Sequence, residues 1–112
     1  MKQILILTGA CGVGKSTISK KWAQLKNGAV VECDFFTEWI YNKNWQRFTK
    51  KEATFVANLA TKTAIEYLNA GMDVAIENVW KPDDLDILTN AFSKIEDVQV
   101  KPDLCISNRY ET

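Results

Sequence analysis

The chain has 112 residues, of which 46% are hydrophobic and 11% aromatic, and its 14 Lys and Arg residues balance 14 Asp and Glu residues. The balanced charge excludes a general attraction for polyanions, and the absence of histidine, with three widely spaced cysteines, excludes zinc sites and histidine-dependent catalysis. We find no targeting signal and no run of the roughly 18 apolar residues that a membrane span requires, so we expect a cytoplasmic protein without a membrane partner.

The N-terminal part of the chain is predicted to form a β-α-β unit. Residues 3–8 are a continuous β-prone run that suits a buried strand, and residues 29–33 form a second such run. Between them, residues 15–26 carry apolar side chains at helical spacing, namely Ile18, Trp22 and Leu25. Asn27 and Gly28 supply a helix stop, after which the chain can enter the second strand.

The middle of the chain predicts a long helix followed by a third strand. Thr49 and Glu52 match a capping box, in which the two side chains satisfy unpaired amides at a helix start. Gly71 lies where the C-terminal cap of this helix is expected. Residues 73–80 are apolar up to Glu77 and are typical of a strand, and Pro82 suits the first turn of another helix.

The last predicted element is a fourth strand within residues 98–106. Pro102 weakens this pattern, because proline cannot donate a ladder hydrogen bond. Strands that alternate with helices of this length predict an α/β fold of three layers, with a mostly parallel sheet, over residues 1–112 as a single domain.

Residues 9–17, GACGVGKST, match the pattern GxxxxGK[ST] between a predicted strand and a predicted helix. Such a loop wraps a phosphate group with backbone amides at the positive end of the helix, while Lys15 reaches the terminal phosphates and the Ser16 hydroxyl helps to hold Mg²⁺. The alternative is a glycine-rich turn that serves geometry alone, but a turn requires neither Lys15 nor Ser16. The expected nucleotide-binding residues are Gly9, Gly12, Val13, Gly14, Lys15, Ser16 and Thr17.

On these residues the chain resembles the P-loop NTPases. It lacks the Asp-x-x-Gly and Asn-Lys-x-Asp motifs of GTPases and the Leu-Ser-Gly-Gly-Gln signature of transporter ATPases, and with ECDFF after its second strand it resembles the small-molecule kinase branch. That branch includes shikimate kinase, gluconate kinase, chloramphenicol phosphotransferase and enzymes similar to polynucleotide kinase. The resemblance implies a P-loop NTPase fold with strand order 2-3-1-4, ATP and Mg²⁺ as cofactors, and a small-molecule hydroxyl compound as acceptor.

Asp34, within ECDFF, is the residue that the resemblance places beside the acceptor hydroxyl. An aspartate at the carboxyl end of a strand next to the phosphate loop can accept the proton of the attacking hydroxyl or orient it, so Lys15 and Asp34 are the candidate catalytic residues. Asp34 equally suits the N-cap of a helix that starts at Phe35.

Glu77 is the second carboxylate of interest. The resemblance implies an acidic residue at the end of the third strand, where Glu77 would lie near Ser16 and hold Mg²⁺ through water. Asn78 is a weaker candidate for the same role. The alternative is that Glu77 is a strand-end residue that emerges into solvent.

Residues 35–48 contain half of the twelve aromatic residues of the chain, namely Phe35, Phe36, Trp39, Tyr41, Trp45 and Phe48. These rings can line an acceptor pocket, with Lys43 and Arg47 available for an acidic group of the substrate. The alternative, which we favour for most of them, is a helical flap whose rings fill the core beneath it. A nucleic acid is expected as acceptor only if Lys43, Arg47, Lys50 and Lys51 form one basic face beside the aromatic residues.

The resemblance also implies a lid helix with arginines after the fourth strand. Residues 107–112 match only the beginning of such a lid, with Arg109 as its candidate arginine, so we expect a shortened form of the fold. Two hypotheses follow. The favoured one is a kinase that transfers the γ-phosphoryl group of ATP to a small-molecule hydroxyl, and the other is a nucleotide-binding module or fragment with little or no turnover.

Overall fold

Strands and helices alternate along the chain, as the sequence predicts. The computed structural model describes residues 1–8 and 15–104. In chain order its elements are β1 (Lys2–Thr8), α1 (Lys15–Lys26), β2 (Ala29–Glu32), α2 (Asp34–Glu38), α3 (Lys50–Asn69), β3 (Val74–Asn78), α4 (Pro82–Ser93) and β4 (Val98–Leu104). None of the helices in the described part of the chain combines the length and the apolar character needed to cross a membrane.

The four strands form one parallel sheet in the order β2-β3-β1-β4, which confirms the expected strand order. Alternate side chains of the central strand β1 face opposite sides of the sheet. Ile4 and Ile6 pack with α3 and α4, whereas Leu5 and Leu7 pack with Ile18 and Trp22 of α1. The sheet is therefore covered on both faces, and the predicted three layers are confirmed.

Helix α1 packs on the sheet through small side chains. Among residues 17–26 of this helix, Ser19 and Ala23, one turn apart, are buried, while Ile18 and Trp22 are half-buried beside them. Leu25, the third apolar residue at helical spacing, is 84% exposed and does not belong to the buried face. Small residues at the contact let the helix approach the sheet closely. Leu25, two residues after Ala23, is on the side of the helix that faces solvent.

The turn between α1 and β2 is formed by the predicted helix stop. Asn27 adopts a left-handed backbone with φ of 53°, and the Gly28 amide donates to the Ala23 carbonyl at 2.8 Å. Gly28 is required for a different reason, since a Cβ at this position would overlap the carbonyl oxygen of Asp73. That same carbonyl accepts a hydrogen bond from the amide of Ala29, at 2.9 Å, so the close approach aligns the start of β2 with β3.

Helix α3 ends at Asn69, Ala70 is at its C-cap, and Gly71 follows with φ of +93°. Substitution of Gly71 with alanine is expected to destabilise the protein by about 1 kcal/mol, because alanine is strained in this backbone region although no atom obstructs its Cβ. Urea denaturation followed by circular dichroism measures the loss. Asn69→Ala, at an exposed position of the last turn, is the control and should leave the midpoint nearly unchanged.

Candidate active site

The carboxyl ends of the parallel strands meet at one edge of the sheet, where α1 also begins. Open α/β sheets bind their ligands at this edge. Of the predicted phosphate-binding residues, Gly9, Gly12, Val13 and Gly14 lie outside the described residues, as do the side chains of Lys15 and Ser16 and the whole of Arg109. The backbone of Lys15 and Ser16 forms the first turn of α1, and Thr17 follows as an exposed residue.

A cavity of about 350 Å³ lies at the carboxyl ends of β2 and β3. This volume is within the range of small-molecule sites. Its walls come from the start of α2, from the segment before α3, from the first turns of α3 and from the segment after β3. The lining residues are Cys33, Asp34, Thr37, Arg47, Phe48, Thr49, Glu52, Ala53, Val56, Asn78, Val79 and Lys81.

Asp34 is an exposed residue on the wall of this cavity. It is the first residue of α2, and Cys33 is the residue at the N-cap position. The interpretation of Asp34 as an N-cap is therefore wrong. Within the described residues the Asp34 carboxylate forms no ion pair, which leaves it available to a ligand in the cavity.

Glu52 is the best-anchored charged residue of the site. Its amide is capped by Thr49 Oγ1 at 3.1 Å, as the capping box predicts, but its carboxylate accepts from the Phe48 amide at 3.1 Å rather than from the Thr49 amide. The same carboxylate accepts from Trp45 Nε1 at 2.8 Å and lies 3.1 Å from Arg47 Nε. Glu52 thus fastens residues 45–48 to the start of α3.

The environment of Glu52 favours its ionised form. Burial by itself raises the pKa of this carboxyl group, but the hydrogen bonds from the Phe48 amide and the Trp45 indole, together with the Arg47 charge, bring the pKa below its ordinary value. Glu52 therefore carries a negative charge at neutral pH that is matched by donors within the protein.

Lys81 enters the cavity wall from the connection between β3 and α4. The Trp80 amide donates to Thr8 Oγ1 at 3.0 Å, which ties this connection to the end of β1, and Pro82 opens α4 as predicted. Lys81 occupies the N-cap position of α4 without a side-chain cap, and it forms no ion pair with a described residue. Its ammonium group is thus available to the cavity.

Glu77 and Asn78 lie on opposite faces of β3. Glu77 is half-buried and accepts a hydrogen bond from Ser19 Oγ of α1, so the alternative that it emerges into solvent is wrong. Since Ser19 follows Ser16 by about one helical turn, Glu77 lies on the side of the sheet that carries the start of α1. Asn78 instead lines the cavity on the other side.

Most aromatic residues of the 35–48 segment do not fill the core. Phe35, Trp39, Tyr41 and Phe48 are exposed, α2 has no buried residue, and Phe36 alone of the six packs against the main cluster. The favoured expectation of a core-filling flap is wrong for these four, because α2 has only five residues, none of them buried, and Trp39, Tyr41 and Phe48 lie beyond its end. Phe48 is the aromatic residue that lines the cavity.

The cations of this region do not line one groove. Arg47 lines the cavity beside Asp34, whereas Lys51 lines a separate pocket of about 140 Å³ with Trp45. Lys43 and Lys50 are exposed and line neither of the two. Of these four cations, Arg47 alone lines the cavity at the carboxyl ends of β2 and β3.

Four polar residues of the site were not singled out from the sequence, namely Ser19, Thr37, Glu52 and Lys81. For Ser19 a signal existed, since it lies one turn after Ser16 on the same helix. Glu52 was recognised only as a helix cap. Thr37 and Lys81 gave no signal, because their place depends on how α2 and α4 dock on the sheet.

The described residues contain no group of three or more Asp, Glu, Cys or His side chains that could hold a metal ion by themselves. Beside nucleotides, Mg²⁺ is usually bound by one or two protein oxygens together with phosphate oxygens and water. Two residues could supply such oxygens. Ser16 belongs to the first turn of α1, and Glu77 is near this helix because it accepts a hydrogen bond from Ser19.

Comparison with known proteins finds similarity in structure. No family model matches the chain, and no curated protein matches it by sequence. Its fold is similar to the APS kinase of Mycobacterium tuberculosis, with a TM-score of 0.77 and 13% identity over 96% of this chain and 77% of that one.

Two further kinase structures share the fold. A protein from Chloroflexus aurantiacus described as a kinase aligns with a TM-score of 0.71 and 20% identity, over 93% of this chain but 59% of its own length. A sugar kinase from Janibacter aligns with a TM-score of 0.66 and 14% identity, over 94% of this chain and 86% of that one. The chain therefore has the fold of the P-loop kinases.

Proposed function

We propose that this protein is a phosphotransferase that moves the γ-phosphoryl group of ATP to a hydroxyl group of a small molecule. The observation that carries the proposal is the cavity at the carboxyl ends of β2 and β3, which has the size of a small-molecule site and carries on its wall the Asp34 carboxylate, which forms no ion pair with a described residue. The fold is that of proteins that carry out this type of reaction. The whole of residues 1–112 acts as the nucleotide-binding, kinase-like domain.

In this proposal the triphosphate of ATP lies between the 9–14 loop and the start of α1. Backbone amides of Gly12, Val13, Gly14 and Thr17 and the positive end of the helix bind phosphate oxygens, and the Lys15 ammonium neutralises charge on the terminal phosphates. Mg²⁺, when bound, neutralises further charge on the phosphates. Ser16 would hold it directly.

Glu77 would hold the metal through water rather than directly. Its carboxylate accepts a hydrogen bond from Ser19, about one turn of α1 below Ser16.

Asp34 would act on the acceptor. Its carboxylate accepts the proton of the acceptor hydroxyl, whose oxygen forms a bond to the γ-phosphorus while the bond from that phosphorus to the β,γ-bridging oxygen breaks and ADP leaves. The transition state of phosphoryl transfer is loose, with little bond formation between the attacking oxygen and the γ-phosphorus. The main tasks of the protein are therefore to place the acceptor hydroxyl in line with the breaking bond and to neutralise charge on the phosphates.

Incubation of the purified chain with Mg²⁺ and ATP labelled at the γ-phosphate tests this proposal. The acceptors are sugars, polyols, hydroxy acids and nucleosides, and transfer of label to one of them is the expected result. Nucleotide binding without transfer to any acceptor would favour the other hypothesis, a binding module with little turnover.

Asp34→Asn is expected to lower the rate of phosphoryl transfer roughly 10- to 100-fold while ATP affinity stays unchanged. Asparagine has nearly the shape of aspartate but cannot accept the proton of the hydroxyl. Because the transition state is loose, the loss of rate should lie at or below the lower end of the range that general bases usually contribute. The measurement is kcat from the label assay, with the Kd for ATP from calorimetry.

The matched control is Asp83→Asn, which alters an exposed aspartate in the first turn of α4. It should leave both quantities unchanged. An equal loss of transfer in both variants, or a loss of ATP binding in Asp34→Asn, would contradict a role for Asp34 in acceptor chemistry.

A further inference from the structure

We infer that the acceptor of this protein carries an anionic group, a carboxylate or a phosphate, and that Arg47 binds that group. The inference rests on the proposed function in one respect, namely that the cavity beside Asp34 is the acceptor site. It concerns the part of the acceptor that does not react, and it follows from the positions of Arg47 and Lys81 on the cavity wall.

Arg47 is held in place on the cavity wall before any ligand arrives. Its Nε lies 3.1 Å from Glu52 Oε2, its Nη2 donates to Thr37 Oγ1 at 3.3 Å, and its guanidinium lies 5.2 Å from the centre of the Phe48 ring. These contacts join the guanidinium to α2, to α3 and to the segment between them. An arginine fixed in this way loses little conformational freedom when it binds a ligand.

The guanidinium nevertheless keeps donors for a ligand. The two contacts with Glu52 and Thr37 use only part of its planar set of N–H groups, and 48% of the side chain is exposed. The remaining N–H groups form a fork whose geometry matches a carboxylate or a phosphate. A purely structural ion pair with Glu52 would not require the arginine to face a cavity of small-molecule size.

The charged side chains that line the cavity are two cations, Arg47 and Lys81, and two carboxylates, Asp34 and Glu52. Arg47 and Glu52 form an ion pair, and the Trp45 indole and the Phe48 amide also donate to Glu52, so the carboxylate of this pair is engaged while its guanidinium keeps further N–H groups for a ligand. Lys81 adds a cation that forms no ion pair with a described residue. The charged groups that this wall still offers as donors to a ligand are therefore the two cations, and the proposed place of Asp34 is beside the hydroxyl.

The first experiment measures binding without relying on turnover. Phenylglyoxal modifies arginine side chains, and the chain has two of them, Arg47 and Arg109. With the phosphate loop saturated by a non-hydrolysable ATP analogue and Mg²⁺, the modification of each arginine is followed by peptide mass spectrometry in the presence of glycerol, glycerate or glycerol 3-phosphate.

Glycerate or glycerol 3-phosphate should slow the modification of Arg47 at least about threefold at a concentration at which glycerol has no effect. Protection by one anion and not the other identifies a carboxylate or a phosphate as the group bound. Equal protection by glycerol, or no protection by either anion, would overturn the inference. Protection by an anion in a protein that transfers no phosphate would refute the proposed function and leave the anion site intact.

The second experiment uses variants in the transfer assay. Arg47→Met should lower the preference for an anionic acceptor over its neutral counterpart at least about tenfold, and Arg47→Lys should restore part of it, because lysine keeps the charge and loses the fork. Lys43→Met, which removes an exposed cation of the same segment outside the cavity, is the control. A preference for neutral acceptors in the unaltered protein, or one that survives in Arg47→Met, would refute the assignment.

Discussion

Replacement of Lys15 by alanine is expected to weaken ATP binding at least about 100-fold. A hydrogen bond to a charged partner contributes up to about 3 kcal/mol, and in the proposed site Lys15 makes such bonds to the terminal phosphates, whose charge it neutralises. The backbone amides of the 9–14 loop would remain, but they cannot supply the missing positive charge. Isothermal titration calorimetry of the Mg²⁺–ATP complex measures the loss.

The control for this variant is Lys21→Ala, which removes an exposed lysine from the same helix. It changes the net charge of the protein by the same amount, so it separates a local effect on the phosphates from a general electrostatic one. Its affinity for ATP should stay within about twofold of the unaltered protein. An unchanged affinity in Lys15→Ala would end the interpretation of GACGVGKST as a phosphate-binding loop.

The second large effect is expected for stability, in Glu52→Ala. This substitution leaves the Trp45 indole N–H, the Phe48 amide and the Arg47 guanidinium without their common acceptor, which should cost about 2–4 kcal/mol of the free energy of unfolding. Urea denaturation at pH 7 measures the change. Glu66→Ala, at an exposed position of the same helix, should change it by less than about 0.5 kcal/mol.

The acid side of the stability profile provides an independent measurement for Glu52. Because its pKa is lower in the folded protein than the ordinary value of 4.5, its ionised form stabilises the fold at every pH above that value. This contribution is lost as the pH falls through the lowered pKa. In Glu52→Gln the decrease in stability below pH 4.5 should therefore be shallower. An unchanged acid profile in that variant would contradict the interactions assigned to the carboxylate.

The fold was largely predictable because its signals are local. A continuous apolar run indicates a buried strand, Thr49 with Glu52 marks the start of α3, and Gly71 and Pro82 mark a helix end and a helix start. Each signal depends on neighbouring residues alone. The signals are therefore readable in this chain although it is 20% identical or less to the kinases that it resembles in structure. The strand order came from the resemblance to the P-loop proteins rather than from these local patterns.

The site was predictable only in part, because it depends on contacts between distant elements. Asp34 lies on the cavity wall, and Glu77 accepts a hydrogen bond from Ser19 of α1. Lys81 could not be found from the sequence, since the hydrogen bond between Trp80 and Thr8 that places it joins residues far apart in the chain.

The prediction that most aromatic rings of residues 35–48 fill the core was wrong for a related reason. Composition shows that a ring is available for burial, but it does not show whether a neighbouring element is long enough to cover it. Helix α2 has five residues, and its Phe35 ring stacks on Trp39, the residue at its C-cap, with the ring centres 6.1 Å apart.

Phe48 has a left-handed backbone with φ of 61°, and its amide is held by a carboxylate that belongs to α3. For a bulky residue such a conformation costs about 1–3 kcal/mol, which the segment before α3 cannot recover by itself. The segment is therefore expected to take its native shape after α3 has formed on the sheet. In folding kinetics, substitutions in it should raise the unfolding rate and leave the folding rate almost unchanged. The wall that meets the acceptor would thus be the last part of the protein to form.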